Sequence, residues 1–190
     1  MAKHDDLHIL SALERKVLWL ASWMIHNANH LRENTDGLQV GGQNYLIPIH
    51  ANISRERDVD IEAVSMDTVL KQMAFADSKV NIVILDACRN NPLSRGFRST
   101  TKGLAEITVK PQGSFISYST APGKVVLDGS GPHSPYVTAL AATIETPGLS
   151  IHDVFDRVRA QVYSGTTGRQ LPWDSSGLMA PFYFVPAKSP

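Results

Sequence analysis

The run from Val80 to Ala87 constrains the fold more than any other part of this sequence. It is short, almost continuously apolar and rich in β-branched residues, which is the pattern of a strand covered on both faces. Apolar residues at helical spacing between Met66 and Met73 precede it, and Ser65 stands where it would cap that helix. A helix that leads into a buried strand is typical of an α/β sheet, so we predict an α/β fold.

Turn residues and polar stretches divide the N-terminal half of the chain. Gly41 and Gly42 stand between two short strand-like runs in LQVGGQNYLIPI, which is the composition of a two-residue hairpin turn. The charged stretch 52–60 and the longer stretch 90–110, which is rich in Arg, Ser, Thr, Gly and Pro, are predicted to be surface loops. A loop as long as 90–110 is usually functional or disordered.

The C-terminal half predicts two further strands and two helices. The segment GSFISYST, which precedes Ala121-Pro122-Gly123, predicts one strand, and FYFV near the C terminus predicts a last one. Ser134 and Ser150 each stand where a helix begins. The residues expected to face inward are Tyr136, Val137, Leu140, Ala141 and Ile144 in the first helix and Ile151, Val154, Phe155, Val158 and Val162 in the second.

The composition excludes several classes of partner. With 190 residues, 43% of them hydrophobic, and a net charge of zero, the chain has material for one globular domain but no basic patch for nucleic acid or an anionic membrane. Its most apolar N-terminal run, 17–25, is shorter than the roughly 20 residues of a membrane helix, and nearby acidic residues argue against a signal peptide. A single cysteine fits a reducing compartment, so we expect a cytoplasmic location.

That single cysteine follows the predicted buried strand. Cys88 lies at the C-terminal end of the strand, where open α/β sheets form ligand crevices, and polar residues follow it. A thiol in this position is a candidate nucleophile, and Arg89 beside it would favour the thiolate. The alternative is a cysteine that only packs in the core. A phosphatase loop would need an arginine where Ser94 stands, and Arg95 comes one place too late.

Several motifs, taken in order, resemble the caspase family, and within it the bacterial caspase-like proteases and the metacaspases. DACR, residues 86–89, is similar to the motif around the caspase nucleophile, with Asp in place of Gln as in metacaspases. GLQVGGQNYLIP is similar to the hairpin after the catalytic histidine, SFISYSTAPG to the strand that lines the substrate cleft, and SPYVTAL and FYFVP to the small-subunit helix and last strand. The resemblance covers about Gly37 to Pro186 and implies a three-layer sandwich, with helices flanking a mostly parallel sheet.

The resemblance also implies a cysteine endopeptidase and gives roles to particular residues. Cys88 would attack the peptide carbonyl, and backbone N–H groups near it would hold the oxyanion. Asp86 and Asp128 stand where the animal caspases have the pocket for the residue before the cut, so two carboxylates would select Lys or Arg there. The alternatives are a simple turn at DGSG for Asp128 and an ion pair with Arg89 for Asp86.

Two other stretches would meet protein substrates according to the same resemblance. An extended peptide would pair, as an added strand, with free backbone at Ser117, Ser119 and Thr120. The basic loop 90–110 would be an internal processing segment between a large-subunit part, which ends near residue 95, and a small-subunit part, 111–190. No metal or other cofactor is expected; calcium activation is implied by the resemblance alone.

The chain departs from the family before residue 37. Family members carry a phrase like SGHG at this point, but this chain has ENTDG, so Asp36 stands where the catalytic histidine belongs. His30 is the best replacement base, although its use requires an altered chain path. Residues 1–36 therefore predict an atypical, altered or truncated N-terminal segment, helical over 7–30, before a caspase-like domain at 37–190.

Three hypotheses follow for the whole chain. The first is a caspase-like endopeptidase that cleaves after Lys or Arg, and the second is a noncatalytic caspase homologue that uses its cleft for binding or regulation. The third is a general α/β binding domain with an unreactive cysteine. Without the first strands of the family, one edge of the Val80–Ala87 strand would stay open, so the N-terminal segment or a second copy in a homodimer would cover it.

Overall fold

A computed structural model of the chain describes residues 37–48, 51–76, 79–86, 104–107, 112–122, 124 and 133–187. The predicted helix over 7–30, most of the loop 90–110, and the residues Cys88, Asp128, Asp36 and His30 lie outside these ranges. The described part is a mixed α/β structure, as the sequence predicted. Within it, no helix is long and apolar enough to span a membrane.

A small antiparallel sheet opens the described chain. Strands β1 (Gly37–Val40) and β2 (Gln43–Leu46) form the predicted hairpin, with Val40 opposite Gln43. The turn residues Gly41 and Gly42 have φ angles of 57° and 84°, the left-handed conformation that this two-residue turn requires and that glycine adopts without a steric cost. The short strand β3 (Val64–Ser65) pairs antiparallel with β2 and completes the sheet.

The stretch between β2 and β3 is more ordered than its charged composition predicted. A 3-10 helix (Glu56–Asp58) and helix α1 (Val59–Glu62) replace the expected loop from residue 56 onward. Asp58 organises this turn because its carboxylate accepts the backbone N–H groups of Ser54 and Arg55, at 3.1 and 2.8 Å. Val59, which is 1% exposed, then packs into the small core under the hairpin.

Tyr45 joins the hairpin to α1. Its hydroxyl donates to Asp60 Oδ1 at 2.8 Å, and the side chain is 6% exposed. Burial first, and then the hydrogen bond and negative charge of Asp60, raise the pKa of Tyr45 to about 12. The phenol therefore stays neutral through the physiological range and holds α1 against β2.

The second sheet contains the predicted buried strand. Helix α2 (Met66–Phe75) leads into β4 (Asn81–Leu85), and the next strands are β5 (Ser114–Tyr118) and β6 (Trp173–Ser176). The strand order is β4-β5-β6. β4 and β5 are parallel, whereas β5 and β6 are antiparallel.

Helices pack against this second sheet on both of its faces. Alternate residues of β4 point to opposite sides: Val83 and Leu85 pack with α2, and Ile82 and Ile84 with the helices of the other face. Those helices are α3 (Pro135–Thr143) and α4 (Ile151–Gly165). The two faces explain why the β4 sequence is apolar without alternation.

Helix α4 confirms its predicted buried face, but α3 does so only in part. All five predicted residues of α4 are buried. In α3 the buried residues are Tyr136, Ala139 and Thr143, while Val137 and Ala141, which were expected to face inward, are exposed. The α3 sequence is apolar nearly all round, so the periodic pattern does not decide which side meets the sheet.

The last strand is not where the sequence placed it. FYFV forms no strand, since only Tyr183 makes an isolated bridge, to Ser150, while Phe182 and Phe184 pack beside α4. Trp173–Ser176 pairs with β5 instead, and its polar composition did not predict a strand. After α4 the chain lies near the carboxyl end of β5, where Gln170 donates its side-chain N–H to Ser119 O at 2.8 Å. β6 must therefore start at that edge and run antiparallel, so the expectation of a mostly parallel sheet is wrong for the described strands.

The prediction of a surface loop over 90–110 is wrong for residues 104–107, here called the link segment. Leu104 and Ile107 are 2% and 5% exposed and belong to the core between α2 and the second sheet. Asn44 pairs with both backbone groups of Ala105, accepting its N–H and donating to its carbonyl oxygen, each at 2.7 Å. Tyr118 accepts the N–H of Ile107 at 3.0 Å. The link segment thus ties the hairpin sheet to the second sheet.

Candidate active site

The carboxyl ends of β4 and β5 meet at one edge of the second sheet because the two strands are parallel. Asp86 follows β4, and Ser119 and Thr120 follow β5. The two strand ends are joined by the N–H of Ser119, which donates to Leu85 O at 2.9 Å. Of the predicted site residues that the structure describes, Asp86 is exposed, whereas Ser117, Ser119 and Thr120 are 1%, 0% and 3% exposed.

Asp86 is held by the first turn of α3. Ser134 Oγ donates to Asp86 Oδ2 at 2.5 Å and accepts the backbone N–H of Val137 at 3.0 Å, so one hydroxyl caps the helix and binds the carboxylate. The sequence predicted Ser134 as a cap but gave no sign of this contact, because the two residues are 48 positions apart.

Behind Asp86, a buried hydrogen bond joins β5 to α3. Ser117 Oγ and Tyr136 Oη are 2.7 Å apart, and the two residues are 1% and 0% exposed. Burial has the largest effect on the pKa of Tyr136 and raises it. The hydrogen bond with Ser117 lowers this pKa, and the negative charge of Asp86 raises it. Tyr136 is therefore a neutral, structural group in the wall behind the site.

The expected free backbone after β5 is absent at two of the three residues proposed for it. Ser117 lies between Ile84 of β4 and Asp174 of β6, so strands flank it on both sides. The N–H of Ser119 binds Leu85, and its carbonyl oxygen accepts from Gln170. β4 and β6 pair with the two sides of β5, so β5 has no free edge at Ser117 for an added strand. Thr120 follows this paired stretch and is itself buried.

The structure also has a cavity of about 350 Å³ between α4 and β6, lined by Arg159, Leu171, Trp173 and Asp174. Arg159 makes ion pairs with Asp156 and Asp174, and its Nε donates to Pro172 O at 3.1 Å. These contacts join the middle of α4 to β6 and to Pro172, just before it. None of the predicted site residues within the described ranges lines this cavity.

The described geometry defines a mixed α/β domain in which an exposed acid stands at the carboxyl edge of a sheet, two residues before the single cysteine. The sequence-family model of the caspase domain matches residues 15–183, which is most of the chain. The chain therefore belongs to the caspase domain family. This membership implies a caspase-like cysteine peptidase domain. No curated protein matches the chain. The family match begins upstream of residue 37, where the motifs that resemble the family begin.

Proposed function

We propose that this caspase domain is a cysteine endopeptidase that cleaves after Lys or Arg. The observation that carries the proposal is Asp86, an exposed carboxylate at the end of β4, two residues before Cys88 along the chain. An exposed acid so close in sequence to the nucleophile favours a cationic side chain in the position before the cut. Family membership supplies the expectation of a thiol nucleophile.

In the proposed reaction, the Cys88 thiol passes its proton to a base, and the resulting thiolate attacks the carbonyl carbon of the peptide bond. The base then protonates the leaving amine as the C–N bond breaks, which leaves a thioester acyl-enzyme. Water then hydrolyses the acyl-enzyme and regenerates the thiol. Asp86, with Asp128 as the proposed second acid, holds the substrate's basic side chain by a charge-assisted hydrogen bond. Ser117 and Ser119 have no part in substrate pairing in this reaction. Strands flank the backbone of Ser117, and both backbone groups of Ser119 are already hydrogen-bonded.

A second candidate is a noncatalytic caspase homologue that binds basic peptides without cutting them. Asp36 favours this candidate, because it stands directly before β1, where the resemblance places the catalytic histidine. A carboxylate has a lower pKa than imidazole and is a much weaker base towards a thiol. His30 would restore activity only by taking over that position.

The two candidates are separated by turnover of fluorogenic peptides with Arg, Lys or Asp before the cut. The chain, Cys88→Ala and Asp36→His are compared, and the proposal expects cleavage of the Arg and Lys peptides that is lost in Cys88→Ala. If Asp36 is the defect, Asp36→His raises the rate by about 100-fold or more, the usual contribution of a positioned general base.

The outcomes point in different directions. Cys88-dependent cleavage by the unaltered chain would exclude the noncatalytic candidate. Cleavage only by Asp36→His would show that the unaltered chain is noncatalytic but keeps the nucleophile and the substrate pocket. Preference for the Asp peptide would contradict the acidic pocket, and Asp86→Asn serves as its control because it removes the charge and keeps the shape.

A further inference from the structure

We propose that Ser134 is a positioning residue, which aims the carboxylate of Asp86 at the basic side chain of the substrate. This inference rests on the proposed function, since it concerns how the same pocket selects Lys or Arg. Ser134 itself is not expected to touch the substrate. It acts through Asp86, which it contacts directly.

The hydroxyl of Ser134 is oriented by two partners at once. Its single proton goes to Asp86 Oδ2 at 2.5 Å, and a lone pair accepts the N–H of Val137 at 3.0 Å. Because Val137 belongs to the first turn of α3, the direction of the hydroxyl is set by the helix. An exposed aspartate at the end of a strand would otherwise exchange freely among rotamers. The contact therefore ties the carboxylate to a rigid element.

Within the described part of the chain, Ser134 holds one oxygen of the Asp86 carboxylate and leaves the other open to a ligand. Ser134 uses Oδ2, while Oδ1 has no hydrogen-bond partner among the described residues. A carboxylate with one oxygen held and the other available presents a defined direction to a guanidinium or an ammonium group. Binding then costs less ordering of the acid, because the free protein has already fixed it.

The chain contains a matched control for the plain capping role. Ser150 caps α4 with the same geometry: its hydroxyl donates to Asp153 Oδ2 at 2.5 Å and accepts the N–H of Asp153 at 3.2 Å. The carboxylate that Ser150 contacts is that of Asp153, which belongs to α4 itself and not to the end of a strand. Ser134→Ala and Ser150→Ala thus remove equivalent caps, but only the first releases Asp86.

The test measures binding rather than turnover, with every variant carrying Cys88→Ala in the full chain. A labelled peptide with arginine before the cut site is compared with the same peptide carrying neutral citrulline, and fluorescence anisotropy gives both dissociation constants. The discrimination is the citrulline constant divided by the arginine constant. We expect Ser134→Ala to lower this ratio by about tenfold, as for loss of one hydrogen bond to a charged group. Ser134→Thr and Ser150→Ala keep the ratio of the parent.

Failure of this inference and failure of the proposed function give different results. If the parent prefers arginine and Ser134→Ala keeps that preference, the positioning role is overturned and the basic pocket stands. An equal change in Ser150→Ala would also overturn it, because general loss of a helix cap would then explain the effect. If the parent does not distinguish arginine from citrulline, the basic pocket is wrong and the role of Ser134 is wrong with it.

Discussion

Two serines near the carboxyl end of β5 have different roles, which the sequence pattern did not distinguish. Ser117 and Ser119 both follow the apolar pattern of β5 and were both predicted to meet substrate. The structure gives Ser117 a partner in the core, Tyr136, whereas the Ser119 hydroxyl is buried without a partner in the described part of the chain. Whether a serine hydroxyl here has a hydrogen-bond partner depends on the helix that packs opposite it and not on the position of the serine in the strand.

The first prediction concerns the buried pair Ser117 and Tyr136. Ser117→Ala leaves the tyrosine hydroxyl buried without its partner, so we expect a loss of about 1 to 3 kcal/mol in the free energy of unfolding. Tyr136→Phe should cost a similar amount. The double variant should lose less than the sum, because no unpaired group remains in it. Urea unfolding of the four proteins measures this coupling.

Ser114 provides the control in the same strand. It is 0% exposed, as buried as Ser117, but its hydroxyl makes no hydrogen bond within the described structure. Ser114→Ala should therefore leave stability unchanged or increase it. Equal losses in Ser114→Ala and Ser117→Ala would show that cavity formation, and not the hydrogen bond, determines the cost.

At the scale of elements, the sequence predicted well those segments whose burial is one-sided or complete. The hairpin, β4, β5 and α4 carry glycine turns, continuous apolar runs or a clear apolar stripe. Prediction was wrong for β6, because a four-residue edge strand has little apolar surface to bury and is specified by its pairing with β5. It was partly wrong for α3, whose uniform apolar sequence leaves its orientation to the sheet.

The second prediction concerns Gly113, which joins all three strands of the second sheet. Its carbonyl oxygen accepts the N–H of Asn81 at 2.9 Å, and its N–H donates to Gly177 O at 3.0 Å. Its φ is 76°, and an added Cβ would lie 2.3 Å from the carbonyl oxygen of Lys79. Gly113→Ala must therefore move backbone as well as adopt a strained conformation, and we expect a loss of more than about 3 kcal/mol.

Gly41→Ala is the matched control for this substitution. Gly41 also has a left-handed φ, 57°, but no atom lies within 4 Å of an added Cβ. Only conformational strain remains, so the expected loss is about 1 kcal/mol. Thermal and urea unfolding compare the two variants. Similar losses at both positions would contradict the steric role assigned to the Lys79 backbone.

At the scale of the whole molecule, the link segment connects parts that are distant in sequence. Asn44 lies in the hairpin, Tyr118 lies in β5, and the backbone of residues 104–107 binds both. Leu104 and Ile107 complete the core between α2 and the second sheet. The hairpin, which begins directly after Asp36, is thereby held in a fixed position relative to the second sheet, which bears Asp86 at the end of β4.

The third prediction tests this connection. Asn44→Ala removes the partner of both backbone groups of Ala105, and we expect a loss of about 2 to 4 kcal/mol, since two hydrogen bonds at a buried site disappear together. Hydrogen exchange at the Ala105 amide should become faster by at least tenfold. Asn44→Asp keeps the acceptor for the Ala105 N–H, so its amide should retain more protection. Unchanged exchange in Asn44→Ala would refute the role of Asn44.

The sequence by itself determined the α/β class, the hairpin, the buried strand that leads to Asp86, and the family motifs along the chain, since these depend on local periodicity and on short patterns. Only the tertiary structure decided that β6 closes the edge beside Ser117, that residues 104–107 enter the core, and that Ser134 holds Asp86. Each of these joins residues far apart in the chain, and a contact of that kind is selected by packing and by the pairing of buried polar groups. Such selection leaves no periodic trace in a single sequence.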